Sequence, residues 1–168
     1  MQVPHRKKET YVKPKPDPYL TEAKFSELKY KLERLKTVTR PRESEEVKRL
    51  AEMGDFSENV GYQVAKGRLR GINQRILDIE DHLKNAVIFR PNKNTQVIEL
   101  GHSVTISNSI NGKEKTYTIL GSSETDPSAG IISHNSPIGS SLLGHSLGDS
   151  VKIKLAEKEV EFKIIKIS

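Results

Sequence analysis

Two carboxylates set three residues apart, Asp55 and Glu58 in the stretch MGDFSENVGY (53–62), are the residue types in this chain best spaced for chemistry. Read as local structure, Asp-x-x-Glu is a capping box. Asp55 accepts helix N–H groups, Glu58 reaches back, and both charges suit the positive end of a helix. Read as chemistry, the same spacing lets both carboxylates face solvent together. Hard cations such as Mg²⁺ are commonly held by one or two carboxylates plus substrate phosphates, without a full protein cage. Two acids on a projecting tip would then complete a metal site that another macromolecule supplies. The residue pattern leaves both readings open.

Further along, a period of 3.6 puts Asn59, Tyr62, Lys66, Arg70 and Asn73 on one flank of a helix, and Arg68 and Arg75 on the other. Lys66 and Arg70, with Tyr62 nearby, have the chemistry to follow a phosphate backbone and stack on a base. An ordinary solvated helix face carries the same residue types, and that alternative stands beside it. Gly67 and Gly71 each cost about 1 kcal/mol of helix stability relative to Ala. Nothing in the local pattern calls for them; close approach of a partner would. Other enzyme constellations are missing: there is no P-loop, no G-x-S-x-G and no H-E-x-x-H. His5, His82, His102, His134 and His145 show no metal-ligand spacing. The absence of Cys excludes disulfides, thiolate metal sites and Cys nucleophiles.

Composition bounds the elements that must position these residues. At 168 residues the chain makes one large domain or two small ones, with enough length to bury a core. Hydrophobic residues make up 34% and aromatics only 5%, with no Trp, so the core is aliphatic and an elongated shape fits. The net charge is +6: residues 1–18 hold five Lys/Arg against two Asp/Glu, residues 19–87 fourteen against twelve, and residues 88–168 nine against eight. Half the excess lies in the first segment, so a nucleic-acid contact elsewhere must be a local patch. No apolar run approaches the ~20 residues of a membrane span, and no signal-peptide core precedes the charged sequence. A cytosolic protein with no membrane partner is expected.

Residues 1–18, with four Pro and a basic cluster, read as a flexible or polyproline-like extension, for solubility or a loose nucleic-acid contact. From Leu20 the pattern turns helical, with Thr21 as N-cap and Phe25, Leu28, Leu32 and Leu35 at spacings of 3, 4 and 3. Arg40-Pro41 interrupts this register; Val47, Leu50 and Met53 resume it, so Pro41 bends or restarts the helix. Leu69, Ile72, Ile76, Ile79, Leu83 and Ala86 form a second, cleaner seam. Two such helices joined by a short Gly-containing turn predict an antiparallel hairpin about 45 Å long, glued at its base and polar at its tip. From about residue 97 the pattern alternates. SVTISN and KTYTIL flank an Asn111-Gly112 turn, Ile131–Ser133 reads as a short strand, and Ser136-Pro137 caps a short helix. VKIKL and EVEFKIIKI complete a small, mostly antiparallel sheet. The fold class is α+β, with a coiled-coil finger over 19–90 and a sheet domain over 91–168.

The segment GDFSENVGYQVAK (54–66) resembles GDLSENAEYHAAK, the tip motif of the bacterial Gre-type transcript cleavage factors, GreA and GreB. YLTEAKFSELKYKLERLK and RPRE resemble the first helix of that family; RILDIEDHLKNAVI and ISHNSPIGSSLLG…LGDSV resemble its second helix and C-terminal domain. The likeness covers about residues 19–168, and the tip motif is highly specific. It implies a finger followed by an FKBP-like domain that docks on the rim of the secondary channel of bacterial RNA polymerase. Asp55 and Glu58 occupy the family's two acidic tip positions, where they would help hold a Mg²⁺ shared with the polymerase. No cofactor would be stably bound to the protein itself. Lys66 falls in the family's basic patch toward the nascent RNA 3′ end, with Arg70 and Tyr62 beside it. Asn135, Ser136 and Pro137 lie on the segment expected to touch the rim. The resemblance thus implies a monomeric elongation factor, not itself an enzyme, that stimulates the polymerase to cleave backtracked RNA.

Departures from the family pattern are specific. Val60-Gly61 replaces Ala-Glu and removes one tip carboxylate; Phe56 replaces Leu; Ser140-Ser141 replaces Arg-Ala; and a Pro-Gly turn near residue 156 is absent. ISHNSPIG is closer to GreA than to GreB. Two rivals remain at the sequence level. One is a Gre-like inhibitor that fills the channel without stimulating cleavage, and the other is a structural adaptor whose coiled coil only binds a partner.

Overall fold

The structure, a computed structural model, describes residues 16–53, 60–92, 96–155 and 158–168. The acids Asp55 and Glu58 lie outside the described residues, as do residues 1–15 of the extension.

The finger begins where the sequence places its cap. Thr21 accepts a hydrogen bond from the Lys24 amide at 3.2 Å, opening α1 (Glu22–Arg34). A π-helical turn, Leu35–Thr39, joins it to α2 (Arg40–Glu52). Pro41 lies in the first turn of α2, where its missing N–H costs little. The π turn absorbs an extra residue, so the apolar register slips there and then resumes. The return arm is α3 (Val60–Lys84). Lys36 pairs with Glu80, and Arg68 stands 3.9 Å from Glu43, so the two arms run antiparallel.

Leu35, Ile76 and Ile79 are buried between the arms, with Leu28, Leu32, Ile72 and Leu83 packed on them. This is the glued base that the two seams predict. Toward the tip the interface changes character. Ala65 is fully buried there, while Met53 and Val64 are 68% and 48% exposed. The helix phase turns Ala65 inward instead of its neighbour, and a small side chain lets the arms approach.

Two short strands close the finger's base. In β1 (Tyr19–Leu20) and β2 (Val87–Ile88) the chains run parallel, pairing Tyr19 with Val87 and Leu20 with Ile88. Leu20, placed at the helix start by sequence, is instead a fully buried strand residue.

The second half is a five-stranded sheet. It comprises β3 (Ser103–Asn108), β4 (Glu114–Leu120), β5 (Ile131–Ser133), β6 (Ser150–Leu155) and β7 (Lys158–Ile167), in the order β5-β4-β3-β7-β6. The helix α4 (Pro137–Leu142) follows β5. The β3–β4 turn is held by Asn108, whose side chain accepts from the Ile110 and Asn111 amides, and Gly112 supplies the positive φ of 66°. The sheet is mostly antiparallel, as expected, with one parallel pairing, of β5 with β4. Between them the chain makes two short 3-10 turns, Ser122–Glu124 and Pro127–Ala129, and doubles back so that β5 lies beside Thr118–Leu120, the last three residues of β4. In β7 the partners of Thr105 and Ile106 are Lys166 and Ile164, so Ile165 is the extra residue of a β-bulge. The bulge shifts the inward phase and buries both Ile164 and Ile167. Val104, Ile106, Ile119, Ile153 and Leu142 of α4 complete an aliphatic core.

Candidate functional site

Three regions carry the residues with functional chemistry. On α3, Lys66 and Arg70 are exposed, and the Lys66 ammonium lies 5.7 Å from the centroid of the Tyr62 ring. Lys66 and Tyr62 are one helical turn apart, so the contact follows from i, i+4 spacing. The structure therefore brings Tyr62, Lys66 and Arg70 onto one accessible flank leading toward the tip. Arg68 is on the other flank, near Glu43. An added Cβ at Gly67 or Gly71 would meet nothing within 4 Å. Packing among the described residues does not require either glycine.

The second region is the segment before α4. Ser136 caps this helix: its hydroxyl accepts from the Gly139 amide at 3.0 Å and donates to the Ser133 carbonyl at 2.6 Å. Both capacities of Ser136 are used internally, whereas Asn135 and Pro137 are exposed. Ser140 and Ser141 return their hydroxyls to the carbonyls of Ser136 and Pro137 at 2.8 and 2.7 Å. These serines hold the helix, and the exposed neighbours present the surface.

The third region was missed by sequence reasoning. Asp17 and Pro18, assigned there to the extension, are bound on both sides. His82, near the end of α3, contacts the Asp17 carbonyl through Nε2 at 2.9 Å. The Asp17 carboxylate accepts from the Ser122 amide at 2.7 Å, the Ser122 hydroxyl at 2.8 Å and the Tyr19 amide at 3.1 Å. Burial alone would raise its pKa. The Ser122 and Tyr19 hydrogen bonds, with His134 at 3.3 Å, outweigh burial and hold it below the ordinary 3.8. Two residues on, the Tyr19 ring meets His134 edge-on at 5.5 Å. After two more, Thr21 gives its amide and hydroxyl to the Glu124 carboxylate at 2.7 and 2.6 Å. Side chains 17, 19 and 21 thus face the sheet domain. The carbonyls of Pro18 and Leu20 accept from Val87 and Phe89 on the other side. This is the period-2 alternation of a strand, and the stretch DPYLT carried that signal too briefly to register.

Similarity to known proteins extends over both halves of the chain. The family model "Transcription elongation factor, N-terminal" matches residues 18–88, and "Transcription elongation factor, GreA/GreB, C-term" matches residues 93–168. The chain belongs to the GreA/GreB family of transcription elongation factors. Transcription elongation factor GreA of Geobacillus kaustophilus is 42% identical over 149 residues, covering 88% of this chain and 94% of the relative. GreA of Macrococcus caseolyticus is 39% identical over 150 residues, covering 89% and 95%. A solved structure, GreA factor homolog 1 of Thermus thermophilus, is 28% identical and covers 90% of this chain and 99% of its own, with a TM-score of 0.42. Within the Gre family frame, the three regions are the finger flank, the segment before α4, and the strap between the two halves. No helix among the described residues is long and apolar enough to cross a membrane.

Proposed function

We propose that this Gre-family protein docks through its sheet domain on the rim of the secondary channel of RNA polymerase. Its finger then enters the channel, and its tip stimulates cleavage of backtracked RNA. The observation that carries this reading is the match of the family models over both halves, 18–88 and 93–168, in a chain that keeps the acidic tip motif GDFSEN. The antiparallel finger supports it physically. At 1.5 Å per residue the 25 residues of α3 reach about 38 Å from the base.

Asp55 and Glu58 would hold Mg²⁺ at the tip. Their donors are hard carboxylate oxygens, which fit that ion, and two carboxylates are too few to retain it without ligands from the polymerase. When bound, Mg²⁺ supplies Lewis-acid activation of water and charge stabilisation at the scissile phosphate. What the chain itself contributes is delivery. The finger carries the acids, Lys66 and Arg70 neutralise RNA phosphates along its flank, and Tyr62 offers a ring for a displaced base. Asn135 and Pro137 present the docking surface that Ser136 shapes. The chemistry belongs to the polymerase, and the factor acts in trans.

A cleavage assay on a stalled, backtracked elongation complex tests the proposal. The wild-type protein should shorten the nascent RNA from its 3′ end, and Glu58→Ala should abolish this. Slowed elongation without cleavage would support a channel-filling inhibitor instead; neither effect nor binding would support a structural adaptor.

A further inference from the structure

The strap residues form a continuous hydrogen-bonded line between the finger and the segment before α4. Its directions are forced. The Asp17 carboxylate, with its side chain 5% exposed, can only accept, so the Ser122 hydroxyl donates to it at 2.8 Å. The Ser122 oxygen is then free to accept from the Ser133 hydroxyl at 2.8 Å, and the Ser133 oxygen accepts from the Asn135 amide at 3.0 Å. Donors therefore point one way from Asn135 to Asp17, and such chains strengthen cooperatively.

A second tie lies beside the first. Glu124 receives the amide and hydroxyl of Thr21, the N-cap of α1, while the same Thr21 oxygen accepts from Lys24. Glu124 does from 103 residues away what the third residue of a helix does in a capping box. Gly121 permits the approach, because an added Cβ would overlap the Tyr19 carbonyl oxygen.

We infer that Asp17, Ser122 and Glu124 are positioning residues that fix the direction of the finger relative to the docking segment. The inference rests on the docking-and-delivery reading above. Its physical weight comes from leverage: a tilt of about 10° at the base of a rod of about 38 Å displaces the tip by about 7 Å. Misplacement of reacting groups by ~1 Å already costs ~100-fold in rate. A loosened strap would leave binding in place and spoil delivery.

The test uses the full chain, which has no Cys to interfere with labelling. Spin labels at Asn73→Cys on the finger and Lys152→Cys on β6, both exposed positions, report the interdomain distance distribution. Glu124→Ala and Ser122→Ala should each broaden it at least about twofold, while Glu124→Gln, which keeps length and hydrogen bonding, stays narrow. Amide exchange at Ile106 and Ile164 checks that the sheet core stays folded. Ser122→Ala keeps the test open should Glu124→Ala fail to fold. On backtracked complexes, Glu124→Ala should lower the cleavage rate at saturating factor about tenfold, with the half-saturating concentration within about twofold of wild type. A narrow distribution in both alanine variants would overturn the inference. So would broadening with an unchanged saturating rate. If wild-type factor stimulates no cleavage, the functional proposal fails, while the distance measurements still decide whether the strap sets the finger's direction.

Discussion

At the scale of single residues, the environment of Asp17 is well defined: its side chain is 5% exposed and accepts from Ser122 and Tyr19. The lowered pKa of Asp17 has a definite consequence for stability. Its charged form is favoured in the folded state, so its contribution is full above the ordinary value of 3.8 and is lost as pH falls through the lower folded value. Thermal unfolding measured from pH 5 downward should show the midpoint falling, and Asp17→Asn should flatten that dependence while lowering stability at neutral pH. An unchanged pH profile in Asp17→Asn would contradict the assignment. On the finger flank, Lys66→Ala should weaken activity and make it less salt-dependent. The slope of log half-saturating concentration against log salt should fall by roughly 0.7 for one lost phosphate contact to a single strand. An identical slope would remove Lys66 from the RNA path.

At the scale of elements, the two seams were legible because helical spacing is long and repetitive. Leu28, Leu32 and Leu35 on one arm, and Ile72, Ile76 and Ile79 on the other, announce their burial. Ser136-Pro137 announced α4 for a different reason: a side-chain cap and a fixed φ are local chemistry. What stayed hidden depended on partners distant in sequence. The parallel pairing of β1 with β2, the bulge at Ile165 and the parallel run of β5 leave no local periodicity to read. Glu124 gives no local signal, because its partner Thr21 lies in the other half of the chain. The finger's energetics follow from its burial pattern. Ile76→Ala, at a position 4% exposed, should destabilise the finger by about 2–5 kcal/mol. Val64→Ala, at one 48% exposed, should change stability by less than about 0.5 kcal/mol. Gly67→Ala and Gly71→Ala have open space for the methyl group and should each stabilise the helix by about 1 kcal/mol. Urea unfolding of the full chain checks all four.

At the scale of the whole molecule, two bodies with separate aliphatic cores meet at a strap that is polar and directional. That division suits the proposed separation of a docking surface from a working tip. Family membership rests on both halves, and the proposed cleavage role rests on the tip motif that the sequence keeps. Of the candidate site, the helix face bearing Tyr62, Lys66 and Arg70 was legible from its 3.6-residue spacing, while Asp55 and Glu58 lie outside the described residues. The strap was not legible, since its parts come from residues 17–21, 122–124 and 133–135. In the proposed function Asp55 acts chemically at the tip, a role separable from the helix capping that its sequence spacing also allows. Asp55→Asn separates the two roles, since Asn caps helices about as well as Asp but brings no charge. With purified polymerase stalled on backtracked RNA, the variant should fold and bind like the wild-type protein and lose cleavage stimulation by at least about 100-fold, a loss typical of removing one key electrostatic group. Cleavage at the wild-type rate, or a loss that only tracks the folded fraction, would contradict the claim.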